Sequence, residues 1–201
     1  MRIPIEVPAA IEFPLGFAPG ALARALLMQD ARASVRYSRS LGMIERIGRG
    51  RYRSLVTRED ADEVKSLFDR VRDAALALPT SFPGAYDGGT AVFFWTRGGY
   101  VAGWTQWRVV IEVRVPGSRE SAARRALRDL GIDVFAGYPP ANMLGVFAKL
   151  NLAERVRRTF VGGAPVVTKR ETLKLIRDNP GAFADAAGLI EDEEGEVEVL
   201  R

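Results

Sequence analysis

The segment from Ala31 to Leu55, ARASVRYSRSLGMIERIGRGRYRSL, constrains the fold more than any other part of the chain. It begins as a short run with an apolar stripe and breaks at Leu41-Gly42. Two strand patterns follow, Met43–Ile47 and Tyr52–Val56, about a Gly48-Arg49-Gly50 turn. At about 100° per residue, Ala31, Val35, Ser38 and Leu41 fall on one side of a helix, and Arg32, Arg36, Arg39 and Ser40 on the other. A helix that packs by one face, shows arginines on the other and leads into a basic β-hairpin is how a winged helix-turn-helix meets duplex DNA. Glycines 48 and 50 permit positive φ in the turn. Arg49, Arg51 and Arg53 project from the turn and second strand, where they suit phosphates or a minor groove. Only Glu45 and Asp30 are near enough in sequence to neutralise them.

Charge is unevenly spread. Residues 1–58 hold ten arginines against four acids, a balance of +6, which leaves −2 for the rest of a chain whose net charge is +4. A basic N-terminal part and a mildly acidic remainder suggest nucleic acid at one end and another partner at the other. The chain has no cysteine and no histidine. Disulfides, Cys/His zinc sites, Ser-His-Asp and Cys-His nucleophiles and imidazole bases are therefore excluded. No catalytic residue, metal or cofactor is expected. No apolar run approaches the roughly 20 residues of a membrane span. The N-terminus, MRIPIEVPAAIEFP, carries acids and prolines where a signal peptide has a clean apolar core, so a cytoplasmic location is expected. The mostly Arg basic set, few amides and absent cysteine fit a heat-loving source.

Along the chain, Pro4, Pro8 and Pro14 argue against a long helix and leave an edge strand or irregular cover. Pro19-Gly20 opens a helix through Met28, and Gln29-Asp30 turns into the next. Thr57-Arg58-Glu59-Asp60 reads as a capping box. The helix after it carries a stripe of Val64, Leu67, Phe68, Val71, Ala75 and Leu78 that ends at Pro79. That helix reads as a connector, or else as a dimerisation helix. Thr80–Gly89, rich in Pro, Gly and Ser, reads as a linker. Arg108–Val115 alternates, which predicts a half-buried strand with Val109, Ile111, Val113 and Val115 inward and Arg108, Glu112 and Arg114 outward. A helix from Gly117-Ser118 follows, with Ala122, Ala126, Leu127 and Leu130 inward and Gly131 as its cap. Strands at Ile132–Phe135 and Leu144–Leu150 and helices at Lys169–Asp178 and Pro180–Leu189 complete the pattern. The acidic run Glu191–Glu198 reads as solvated, or else as a partner for the basic part. Trp95, Trp104 and Trp107 with Phe93, Phe94 and Tyr100 read as core plus hairpin, or else as a base-stacking or partner-anchoring surface.

The stretch ALARAL…SVRYSRSLGMIERIGRGRYR resembles the winged helix-turn-helix of the AbiEi-type antitoxin/transcriptional regulator group. Met43-Ile44-Glu45-Arg46-Ile47-Gly48-Arg49-Gly50-Arg51-Tyr52-Arg53 follows that group's hairpin pattern. The resemblance covers roughly the first 58 residues and implies a DNA-binding regulator of prokaryotic type. It further implies an antitoxin that represses its own promoter and counters a toxin of the nucleotidyltransferase kind. Separately, Gly88-Gly89-Thr90 and Thr105-Gln106-Trp107-Arg108-Val109 faintly resemble a minimal nucleotidyltransferase domain. Such enzymes hold Mg²⁺ on closely spaced carboxylates. Where that motif has two aspartates, this chain has Trp107 and Val109, so a degenerate domain without catalysis is implied. Asp60-x-Asp62 is more simply a helix start.

The expected fold is α+β. A winged helix-turn-helix occupies residues 1–58, a connecting helix 59–79, a small α/β partner-binding domain 80–190 and an acidic tail 191–201. Arg32, Arg36, Arg39 and Ser40 are expected in the major groove and Arg49, Arg51 and Arg53 beside it. The expected partners are double-stranded DNA and a toxin or a second copy of the chain. The alternatives are a nucleotidyltransferase-type enzyme with an attached nucleic-acid-binding domain, or a protein-interaction module that does not touch DNA.

Overall fold

A computed structural model describes residues 1–4, 6–12, 15–19, 31–40, 42–101, 103–141, 143–183, 185–190 and 195–201; within 31–40, the side chains of 31–34 and 37 lie outside that description. The chain is mixed α and β with a mixed sheet. The helix expected over 20–28 and its turn at 29–30 lie outside the described residues.

Strand β1 (Arg2–Ile3) lies on the sheet edge, in line with the edge-strand expectation. Helix α1 (Glu6–Glu12) follows. Pro8 is tolerated there because it sits in the first turn, whose N–H groups have no intrahelical acceptor. Phe17 then exchanges both backbone hydrogen bonds with Tyr52. Helix α2 (Ala31–Ser40) leads into strands β2 (Ile44–Gly48) and β3 (Arg51–Ser54). Their register shifts between Arg46 and Gly48, a bulge just before the Gly50 turn at φ +67°.

Helix α3 (Arg58–Ala75) starts at the capping box read from sequence, with Thr57 and Asp60 bonded reciprocally. Its buried line is Ala61, Phe68 and Ala75, seven residues apart, flanked by the half-buried Val64 and Val71. Leu67, expected on the stripe, stands one step of about 100° off that line and is exposed.

Thr80–Gly89 is not a linker. Phe82 and Gly84–Gly89 are buried, and strand β4 (Ala85–Tyr86) lies mid-sheet between β5 (Arg108–Pro116) and β9 (Ala164–Val167). Glycine serves close approach here: a Cβ on Gly84 would stand 2.5 Å from Arg114 O and 2.8 Å from Val115 Cγ2.

Helix α4 (Gly88–Trp95) follows β4. After β5 come a 3-10 turn (Gly117–Arg119), helix α5 (Glu120–Asp129), β6 (Asp133–Phe135) and β7 (Leu144–Ala153). Ala123 and Leu127 are the buried residues of α5, whereas Ala122, expected inward, is exposed. Gly131 at φ +77° ends the helix as expected. The hairpin of β8 (Val156–Val161) with β9 leads to α6 (Lys169–Asp178) and the short α7 (Pro180–Phe183). Only part of the helix expected over Pro180–Leu189 forms; a 3-10 turn occupies Ala187–Leu189.

Among the described residues the sheet runs β1-β7-β5-β4-β9-β8 and then β10 (Glu198–Leu200), with β6 also on β7. β5 and β7 are parallel, in register from Arg108↔Gly145 to Pro116↔Ala153. Strand β10 (Glu198–Leu200) pairs with β8, and Glu198 bonds the buried Arg158 at 2.8 Å. The end of the acidic run is thus strand, although residues 195–198 stay exposed as expected; residues 191–194 lie outside the described residues. Val109, Ile111, Val113 and Val115 join Phe68, Trp107 and Leu127 in the core. No helix of the described residues is long and apolar enough to cross a membrane.

Candidate functional site

The basic segment is built on a tight junction. Gly42, at φ +70°, donates to Arg39 O, and Met43 donates to Ser38 O, so β2 leaves directly from the end of α2. Val35, Ser38 and Ile44 turn inward, while Arg36, Arg39 and Ser40 are exposed. That division matches the sequence expectation. The side chains of Ala31 and Arg32, and Leu41 as a whole, lie outside the described residues. Tyr52 anchors the hairpin from below, its ring 6.1 Å from that of Phe17.

The hairpin arginines are not equivalent. Arg49 and Arg51 are exposed at the turn. Arg53 sits across the ladder from Glu45 and is ion-paired with it. Arg46, missed in the sequence reasoning, is exposed and donates to Gly48 O at 3.0 Å. Its signal was its place in the hairpin motif itself. Among the described residues, Arg36, Arg39, Arg49 and Arg51 have no acidic partner. Residues 35–56 carry six arginines and one glutamate, which leaves a strongly cationic surface.

A second constellation lies on β5. Arg108, Glu112 and Arg114 were expected to face solvent. Instead they lie beneath the start of α4, the Pro139 loop and α6, because each finds a partner there. Arg114 bonds Asp87 and Glu171, both at 2.8 Å. Burial lowers the Arg114 guanidinium, but these two acids more than offset it and leave it above its usual value. Asp87 also accepts from Asn151 at 3.0 Å.

Glu112, 9 % exposed, accepts from Gly89 N–H at 3.0 Å and from Lys149 Nζ at 2.8 Å. Its own N–H donates to Thr90 Oγ1 at 2.9 Å. Lys149 lies 4.1 Å from the centre of the Tyr138 ring. Burial pulls the Lys149 ammonium down, yet Glu112 and Tyr138 outweigh it and hold it above its usual value. Burial, with Glu112 adding to it and Lys149 opposing, raises the Tyr138 hydroxyl.

Arg108 is different. Its Nη2 donates to Pro139 O at 3.1 Å, and its Nε is buried without a partner. Desolvation lowers this guanidinium, with Tyr138 opposing. Beside Arg108 and Glu112 lies a cavity of about 280 Å³, walled by Tyr100, Trp104, Tyr138 and Phe183.

The two positions compared with the aspartates of a nucleotidyltransferase point into the core. Trp107 is 1 % exposed and packs 5.8 Å from Phe68, and Val109 is buried. Among the described residues no group of three or more acidic side chains is placed to hold a metal ion. Trp95 is also core, its indole donating to Val167 O, whereas Trp104, Phe93 and Phe94 are half-buried and pack on one another. No protein-family model, no curated protein and no solved structure matches this chain.

Proposed function

We propose that this chain is a sequence-specific DNA-binding transcriptional regulator whose N-terminal part acts as a winged helix-turn-helix. The observation that carries the proposal is the basic face: Arg36 and Arg39 on α2, with Arg49 and Arg51 at the hairpin turn, are exposed and lack acidic partners among the described residues. The opposite side of α2 is buried through Val35 and Ser38. The element order supports it too. Helix α1, a strand position at Phe17 paired to the hairpin, α2, and the two hairpin strands follow one another as in winged domains.

In this proposal α2 enters the major groove and reads bases with Arg36, Arg39 and the neighbouring Arg32 and Ser40. The hairpin holds phosphate or minor groove with Arg49 and Arg51, while Arg53 contributes less because Glu45 engages it. The antitoxin role, with a toxin or a second copy as protein partner, follows from the resemblance alone.

The test is fluorescence anisotropy of the full chain with labelled random duplex, followed by selection of a preferred site. Binding that weakens steeply with salt, and a selected sequence bound well above random duplex, are expected. Salt-independent binding, or no binding at low salt, would falsify the proposal.

A further inference from the structure

We propose that the cavity beside Arg108 is a binding site for a small aromatic oxyanion, a carboxylate or phosphate carried on one aromatic ring, with its acid group on the Arg108 guanidinium. The site shares no residue with the basic hairpin face and does not depend on its function.

Most of the charged and ring N–H groups around the cavity are committed. Both oxygens of Glu112 are occupied, by Gly89 N–H and by Lys149, and Lys149 is neutralised in return. The Tyr100 hydroxyl donates to Ala182 O, and the Trp104 indole donates to Val110 O at 3.0 Å. Arg108 is the lining cation left without a counter-charge: Pro139 O takes Nη2, Nε is buried without an acceptor, and no carboxylate among the described residues pairs with it. A partly desolvated cation without a counter-charge is unfavourable unless something supplies one. A planar guanidinium accepts carboxylate or phosphate in a bidentate geometry, which selects an oxyanion over a halide.

The remaining walls select the rest of the ligand. Trp104, Tyr100, Tyr138 and Phe183 line the space with aromatic surface. Its volume of about 280 Å³ lies just under the range of roughly 300–1,000 Å³ that takes drug-sized ligands. One ring with one acid group suits that space.

The probes are benzoate, phenyl phosphate and, as a neutral control, benzyl alcohol, titrated into the ¹⁵N-labelled full chain. The Trp104 indole signal is identified by its loss in Trp104→Phe. A saturable shift of the Trp104 indole and of the Gly89, Thr90 and Arg108 amides is expected with at least one of the acids, and none with benzyl alcohol. Which acid binds tells whether the natural ligand is a carboxylate or a phosphate. Arg108→Met is expected to weaken binding by about tenfold or more while the dispersed spectrum persists. If that variant does not fold, the wild-type shift map decides alone. No saturable shift with either acid, equal shifts with benzyl alcohol, perturbations centred elsewhere, or full affinity in a folded Arg108→Met overturns the proposal.

Discussion

The carboxylate of Glu112 fills the space where a Cβ on Gly88 would stand. Gly88 holds φ +55° at the head of α4, and the following N–H, that of Gly89, donates to Glu112 Oε1. Lys149 takes the other oxygen. One glycine thereby seats a buried carboxylate at the edge of the aromatic cavity and fixes how α4 meets β5.

Gly88→Ala is expected to destabilise the chain by about 3 kcal/mol. Roughly 1–2 kcal/mol comes from the left-handed backbone, and the rest from displacing Glu112 from its donors. Gly103→Ala is the control. It has φ +68° but open space around its Cβ position, so only the backbone contribution of about 1–2 kcal/mol applies. Urea unfolding of both variants checks the difference; equal losses would mean that Glu112 moves aside freely.

Tyr86 ties the end of α3 to the sheet. Its hydroxyl donates to Ala75 O at 2.6 Å and accepts from Leu78 N–H at 3.0 Å, fully buried. Tyr86→Phe leaves both backbone groups without partners, a loss of about 1–3 kcal/mol. Burial, against the Leu78 N–H, also pushes this hydroxyl far above its ordinary value. An alkaline absorbance titration should therefore find one fewer titrating tyrosine in the folded chain than in the unfolded one.

Local physics made some elements legible and long-range pairing hid others. The cap at Thr57, the α2 face pattern and the turn at Gly50 each depend on residues within a few positions, and each reads directly from sequence, although Gly48 ends β2 instead of joining the turn. The alternation of β5 was legible too, but its polar face was assigned to solvent. The partners that bury it, Asp87 and Glu171, lie 27 and 57 residues from Arg114. The β8–β9 hairpin was missed because Arg158 breaks its apolar pattern. That arginine is 6 % exposed and bonds Phe82 O, Gly84 O and Glu198, partners no local window contains. Glycine and proline at 80–89 read locally as a linker, whereas in the fold they serve close packing. The cavity was invisible for the same reason: Arg108, Glu112, Tyr138 and Phe183 meet only through the fold.

Glu6 predicts a pH dependence. It is 1 % exposed, and its Oε1 has no partner. Burial raises the carboxyl above its ordinary value of 4.5, opposed by the hydrogen bond from its own backbone. A folded-state value above the unfolded one means that the native state binds the proton more tightly. The corresponding stability is complete below about 4.5 and is lost as pH rises through the folded value. Glu6→Gln removes that dependence. Its unfolding midpoint should gain on the wild type between about pH 4 and 8, and parallel profiles would show that Glu6 is solvated in the native state.

The Glu45–Arg53 pair allows the proposed interface to be tested arginine by arginine. If Arg49 and Arg51 hold phosphates, each Ala substitution should weaken binding to all duplexes alike and lower the salt slope by about 0.9. If Arg36 and Arg39 read bases, their substitutions should cost about 1–3 kcal/mol on the selected site and little on random duplex. Arg53 is already engaged, so Arg53→Ala should matter less than Arg51→Ala. Glu45→Gln should tighten binding, because it removes the one acid from residues 35–56 and frees Arg53 for the backbone. Anisotropy at two salt concentrations separates these outcomes. Weaker binding in Glu45→Gln would mean that the pair positions the hairpin, and a uniform effect of all five arginines would leave only a nonspecific cationic surface.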